Sequence, residues 1–217
     1  MLIFLYLYFL HIFMFHTNPA RVLKKRSKVI FMTGVIVALV TLLISLLFPL
    51  QYRADAQVLI ISQSRYGVDP YTVVRSAERV GQNISQVVKT TDFFEKVVEQ
   101  RQLGLDTSRF ENVPELTRRQ RWEKTIDASV VFGTGVLNVS AYHTNQEQAR
   151  RYATAAVTAL VEKGWEYVGG DVTIKVVNDA VVSKLPVRPN LLLNTVLGFL
   201  VGAAAMAAIS LRKKNVL

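Results

Sequence analysis

The chain has 217 residues, 51% of them hydrophobic, a net charge of +10 and no cysteine. That length holds one modest folded domain plus whatever a membrane takes, and the missing cysteine excludes disulfides, thiolate catalysis and cysteine-based zinc or iron sites. Of the 10 excess charges, 8 come from Arg21, Lys24, Lys25, Arg26, Lys28, Arg212, Lys213 and Lys214, while Arg53 to Arg188 holds 18 basic and 16 acidic residues, so no basic stripe is left for nucleic acid.

Met1 to Phe15 is apolar except for His11. It is short for a span, and its positive residues follow the apolar stretch where a signal peptide would carry them in front. Three readings stay open: an interfacial or short third helix, a short span, or an untranslated extension with Met14 as the start. The extension is favoured, because a brief polar lead into the basic flank then results.

Val29 to Phe48 carries no ionisable residue across 20 positions, and Leu191 to Leu211 none across 21. At about 1.5 Å per residue, roughly 20 such residues cross the hydrocarbon core. Two buried core helices would leave too little other protein to cover them. Lys and Arg beside a span are retained on the cytoplasmic side, so both flanks point inward. The expected organisation is a basic flank over 1–28, spans over 29–48 and 191–211, a domain over 49–190 and a tail over 212–217. The protein is expected in the plasma (inner) membrane, with both termini cytoplasmic and the central domain periplasmic or extracellular.

Within the central domain, Ala54 to Ser62 is rich in alternating and β-branched residues and ends at Gly67, Asp69 and Pro70, which predicts a strand. Val73, Ala77, Val80, Ile84 and Val87 then recur at spacings of four and three, one face of a helix. Asp92 with Glu95 predicts a capped restart that Gly104 stops, with Phe93, Phe94, Val97 and Val98 packing it down. Pro114 to Lys124 reads as a short polar helix around Trp122. Ile126, Ala128, Val130 and Phe132, then Leu137, Val139 and Ala141, alternate around Gly133, Thr134 and Gly135, which predicts a hairpin. Thr144 with Glu147 is a capping box for a helix whose Ala149, Tyr152, Ala153, Ala156, Leu160 and Trp165 share a face and which Gly169 and Gly170 end. Val172, Ile174 and Val176 form a last strand. The order strand, helix, strand, strand, helix, strand predicts an α+β domain of ferredoxin-like, βαββαβ type flanked by two transmembrane helices.

In the first span Gly34, Ala38, Thr41 and Ser45 fall at helical spacing on one side, and in the second Asn194, Gly198, Gly202 and Ala205 do the same. Small residues let helix backbones approach closely in lipid, where that packing is a main source of attraction. Both stripes are therefore expected at a span interface, within or between subunits, with Asn194 adding an interhelical hydrogen bond.

Three stretches carry a family resemblance. They are Tyr52, Arg53, Ala54, Asp55 and Ala56 running into Val58, Leu59 and Ile60; Gly135 to Ser140 followed by Asn145 to Ala149; and Val176 to Ala180 with Leu185, Pro186, Val187, Arg188, Pro189 and Asn190 leading to Gly198 and Gly202. With them the chain resembles the chain-length determinant (Wzz-type) polysaccharide co-polymerases. Longer members insert a helical protrusion where only Gly104 to Lys124 stands here, so the resemblance is to a reduced form. It implies a non-enzymatic homo-oligomer in the membrane that works with a polysaccharide polymerase and a lipid-linked glycan, with Tyr52, Ala54, Pro186 and Pro189 at the membrane junctions.

No catalytic, cofactor or metal set assembles from the sequence. His11, His16 and His143 make no multi-histidine site, His143 reads as a surface residue at a strand end, and no Gly-rich phosphate loop is present. Asn83-Ile84-Ser85 and Asn138-Val139-Ser140 match the glycosylation triplet but lie in a helix and a strand. Arg118, Arg119 and Arg121 are candidates for holding an acidic sugar or lipid phosphate; the plainer reading is a solvated helix face beside Glu115 and Glu123. The leading expectation is a co-polymerase that scaffolds or tunes growth of an O-antigen, capsule or exopolysaccharide. A membrane adaptor for a cytoplasmic tyrosine kinase is the second, for which the six residues after Leu211 offer little surface, and a generic two-span scaffold is the third.

Overall fold

The computed structural model describes residues 19–62, 69–168 and 172–212. The expectations for Met1 to Phe15, for Gly67 and for the helix stop at Gly169 and Gly170 lie outside those residues. The chain divides into two compact units, one spanning Pro49–Arg188 and one built from the segments on either side of it.

In chain order the helical elements before the sheet are α1 (Pro19–Lys25) and α2 (Ser27–Leu46). Then come β1 (Tyr52–Ser62), α3 (Pro70–Val87), α4 (Thr91–Val98), short 3-10 turns at Arg101–Leu103 and Ser108–Phe110, and α5 (Glu115–Thr125). The hairpin β2 (Ile126–Val130) and β3 (Val136–His143) leads into α6 (Gln146–Lys163), α7 (Trp165–Val168), β4 (Val172–Val182) and α8 (Leu191–Arg212).

In the helical unit, α2 and α8 are 20 and 22 residues long and apolar enough to cross a membrane. Only 17% and 11% of their apolar windows are buried, so most of their side chains face outward. The N–H groups of Leu47 and Phe48 bond back to the carbonyls of Ile44 and Ser45, tightening the last turn. Pro49, which disfavours α geometry in the residue before it, bars continuation.

The second unit is a mixed α+β domain with a four-stranded antiparallel sheet in the order β2-β3-β1-β4. β1 lies inside the sheet, and its alternate residues Ala54, Ala56, Val58 and Ile60 are fully buried. α3 and α6 cover that face with Ala77, Ile84, Ala149, Ala153, Ala156 and Leu160. The alanines of α6 keep its backbone near the strands. At the side of the core Trp122 is 1% exposed and its indole N–H donates to the Val88 carbonyl at 2.8 Å. Phe94 and Phe110 lie edge-on to it at 5.1 and 6.2 Å between ring centroids. A residue from a helix that reads as polar thus supplies the largest fully buried side chain.

Local caps and faces differ from the sequence reading at several points. The cap of α4 is Thr90, whose hydroxyl accepts from the Phe93 N–H, and not Asp92. Asp92 sits in the first turn and pairs with Lys96 at 3.0 Å. α4 ends at Val98, and Gly104, with φ 58°, closes the 3-10 turn that follows. The cap of α6 is Asn145, whose side-chain oxygen accepts from the Glu147 and Gln148 N–H groups, and not Thr144; Glu147 turns instead to Arg150 and Arg151. Trp165 is 58% exposed because α6 stops before it and α7 starts a new axis. Phe132 lies beyond the end of β2 and is 92% exposed. Val176, paired opposite Val58 on the edge strand β4, is also open; two register shifts against β1 follow it, between Val58 and Asp55, after which Ala180 and Val182 pack against the core.

His143 is not a surface residue: it ends β3 but is 4% exposed. Its Nδ1 accepts the Asn145 N–H at 3.0 Å, its ring stacks on Tyr152, and Nε2 has no partner among the described residues. Burial, helped by the charge of Arg109, holds its pKa below the ordinary value; the charge of Asp106 opposes this. A histidine with a depressed folded pKa leaves the unfolded chain holding more protons. Stability is then complete above about pH 6.5 and falls as pH drops through that value toward the folded pKa. Asp92, Asp106 and Glu147 are held below the usual carboxylate range, Glu147 at about 2 by its two arginines, so they act only at lower pH. Thermal unfolding of the whole protein in detergent should show a lower midpoint at pH 5.5 than at pH 7.5, a window set by the histidine reference value of about 6.5. His143→Asn, which keeps an acceptor for Asn145, should flatten that difference.

Candidate functional site

α2 and α8 run antiparallel: Ser45 meets Asn194, Thr41 meets Gly198 and Val37 meets Gly202. The seam is close because three positions lack a Cβ. One added at Gly198 would overlap the Thr41 side chain, at Gly202 it would come 2.7 Å from Val37 Cβ, and at Gly34 2.8 Å from the Phe199 ring. Gly34, Ala38, Ser45, Gly198 and Gly202 are buried, and Thr41 is half-buried with its hydroxyl turned back onto the Val37 and Ala38 carbonyls. That return bond satisfies the hydroxyl within its own helix, and the same Oγ1, with the methyl group beside it, lies against Gly198. Asn194 Nδ2 donates to Ser45 Oγ across the seam at 3.0 Å. Phe31 and Phe199 meet edge-on at 5.5 Å.

Ala205 is off the seam and exposed. From Asn194 the buried ridge runs at steps of four, through Gly198 and Gly202 to the half-buried Met206 and the buried Ser210. A step of three to Ala205 rotates away from it. Ser210 gives little sequence signal, being one small residue in a run of small residues. A groove of about 470 Å³ runs beside the seam, floored by Thr41, Ser45, Asn194 and Gly198 and reaching Phe48 and Pro189.

The strand junction is a second constellation. Tyr52 pairs with His143, and Ala54, fully buried, pairs with both Ala141 and Val182. Gln51 N–H donates to the Arg188 carbonyl and Val187 N–H to the Gln51 carbonyl, each at 2.8 Å. The Arg188 guanidinium lies 3.3 Å from the centre of the Tyr142 ring and donates to the Lys124 carbonyl at 2.9 Å. Pro186, half-buried, has no N–H to offer and fixes its own φ in the turn between β4 and this bridge. The first and last segments of the unit are thereby tied at one end of the sheet.

The three arginines do not converge. Arg118 pairs with Glu115, Arg119 with Glu123 at 3.1 Å, and Arg121 donates to the Arg109 carbonyl. Two of them face carboxylates one helical turn away, and the third anchors the loop before α5. Lys96 is engaged as well, within 3.1 Å of both Asp92 and Glu166 and over the Tyr167 ring, which raises its pKa. Tyr167, half-buried and donating to Asp92, is pushed up to about 12. Among the described residues no three His, Asp or Glu side chains gather where they could share a metal ion.

Putting Leu at both Gly198 and Gly202 should force α8 away from Thr41 and Val37, and overpacking of this kind costs about 1–3 kcal/mol per site. The thermal midpoint in detergent should drop and intramolecular contact of the spans should be lost. Leu at Val196 and Val201, 48% and 64% exposed, should change neither.

The sequence model of the Wzz family, described as chain length determinant protein, matches residues 20–101. No match to the chain is found among curated proteins. The matched stretch is less than half of the chain and runs from α1 through α2, β1, α3 and α4. It contains Gly34, Ala38, Thr41 and Ser45 of the seam and Tyr52 and Ala54 of the strand junction. Over residues 20–101 the chain is thus similar to the Wzz chain length determinant proteins.

Proposed function

We propose that this protein is a non-enzymatic co-polymerase that sets the chain length of a polysaccharide exported to the bacterial surface. The observation that carries the reading is the chain length determinant match over the first apolar helix and the strand that follows it. In this reading α2 and α8 cross the inner membrane, and the basic flanks keep both ends in the cytoplasm. The α+β unit stands outside and the protein acts as a homo-oligomer beside a polysaccharide polymerase and its lipid-linked glycan. We read that unit as ferredoxin-like. The strand order β2-β3-β1-β4, antiparallel throughout, with helices after β1 and β3, supports this.

The mechanism is one of spacing. The α2/α8 seam and the Gln51/Arg188 bridge each hold a fixed geometry, and repeated around an oligomer they would set how far apart the outer units stand while a chain grows. Tyr52, Ala54, Pro186 and Pro189 stand in this reading next to the membrane-spanning segments. Arg118, Arg119 and Arg121 are given a structural role in it, since each already has a partner.

Deletion of the gene should change the modal length of the surface polysaccharide on a sizing gel, and the wild-type gene supplied in trans should restore it; an unchanged ladder would refute the reading. For topology, tags beside Lys25 and at the C-terminus should resist protease in intact cells while one at Gly104 is cleaved. An accessible C-terminal tag would contradict it.

A further inference from the structure

All 16 acidic residues of the chain lie between Arg53 and Arg188, so the helical unit contains none. It does contain Lys24, Lys25, Arg26 and Lys28 around the start of α2 and Arg212 at the end of α8, all exposed. The antiparallel register puts these at one end: contacts of 45 with 194, 41 with 198 and 37 with 202 continue to bring 212 alongside the first residues of α2. α1 packs against both α2 and α8, with Val22 buried, so its lysines belong to the same cluster.

This placement is unfavourable in isolation. Lys24 and Lys28, four residues apart across the break between α1 and α2, carry like charges that repel. The first turn of α2 has no acidic residue, and cations there oppose the helix dipole. An anion from outside relieves both. The neighbouring residues indicate which anion: Val29, Phe31 and Met32 are 47%, 60% and 63% exposed and directly follow the cations. Their partner must present negative charge beside an apolar region, which an acidic lipid does and a soluble acidic protein does not.

We propose that Lys24, Lys25, Arg26, Lys28 and Arg212 form a binding site for acidic phospholipid headgroups. The site rests on the reading that α2 and α8 cross a bilayer. Its test uses the full-length protein in nanodiscs of equimolar phosphatidylglycerol and phosphatidylcholine, with the lipid retained on extraction into neutral detergent measured by mass spectrometry. Phosphatidylglycerol should be enriched about fivefold or more over phosphatidylcholine, and less so at high salt. Changing all five residues to Gln should return the ratio to that of the bulk mixture. The charge-preserving set Lys24→Arg, Lys25→Arg, Arg26→Lys, Lys28→Arg and Arg212→Lys should keep the enrichment. Equal retention of both lipids by the wild type, or enrichment that survives the Gln set, would overturn the site. Capture of a polyglutamate peptide without phosphatidylglycerol enrichment would also overturn it, in favour of an acidic protein partner. Alkaline carbonate washing of membranes tests the spans separately. Release of the protein sinks the span reading, whereas retention without lipid enrichment sinks the headgroup site alone.

Discussion

The helical unit depends on the absence of side chains at Gly34, Gly198 and Gly202. With no Cβ at those points, α2 and α8 approach until Thr41 and Val37 fill the space over Gly198 and Gly202. The close approach in turn brings Asn194 within 3.0 Å of Ser45. In lipid this order of causes matters, because apolar burial supplies no net attraction between helices and packing with a few polar contacts must do so. The Asn194 to Ser45 bond is worth about 1 kcal/mol on that footing. Its greater effect is on register, since both polar groups would otherwise face hydrocarbon unpaired, and a slip of one residue would leave them so.

In the α+β unit the corresponding constraint is β1. It pairs on both sides and carries the buried row Ala54, Ala56, Val58 and Ile60, so its position fixes which faces of α3 and α6 turn inward. The small residues of β1 and α6 keep that contact thin. The larger volume is gathered to one side, where Phe94, Phe110, Trp122 and Tyr152 form a connected aromatic cluster.

Much of this was legible in the sequence because period is robust to small errors. The four-and-three spacing of Ala77 and Ile84, the alternation through β1, β2 and β3, and the two ion-free runs each sum evidence over many residues. The misplacements fell where a single residue decides. Asp92 and Thr144 look like caps by composition, but the backbone turns at Thr90 and Asn145, and only that geometry selects the cap. Val176 continues the alternation of Val172 and Ile174 and pairs opposite Val58, yet it stays open at the sheet edge where the register begins to shift, and nothing in the residues themselves announces a bulge. His143 reads as a surface residue for a related reason, and the burial of Trp122 is equally silent in its polar helix. Each is covered by a partner outside its own element, Tyr152 for the one and Val88 for the other. Within the helix stripes, Ala205 and Met206 are equally compatible with a small-residue face until the partner helix fixes the ridge.

The central physical claim is that the two apolar helices of one chain meet each other through the Ser45 and Asn194 ends of their stripes. The chain has no cysteine, so a single introduced pair can be read without interference. With Ser45→Cys and Asn194→Cys in membranes, and a protease site placed at Gly104, mild oxidation followed by cleavage should leave the two halves joined on a non-reducing gel. Leu43→Cys with Leu200→Cys, both on exposed faces, should let them separate. Halves that separate in the first variant, or adducts formed solely between chains, would contradict the account.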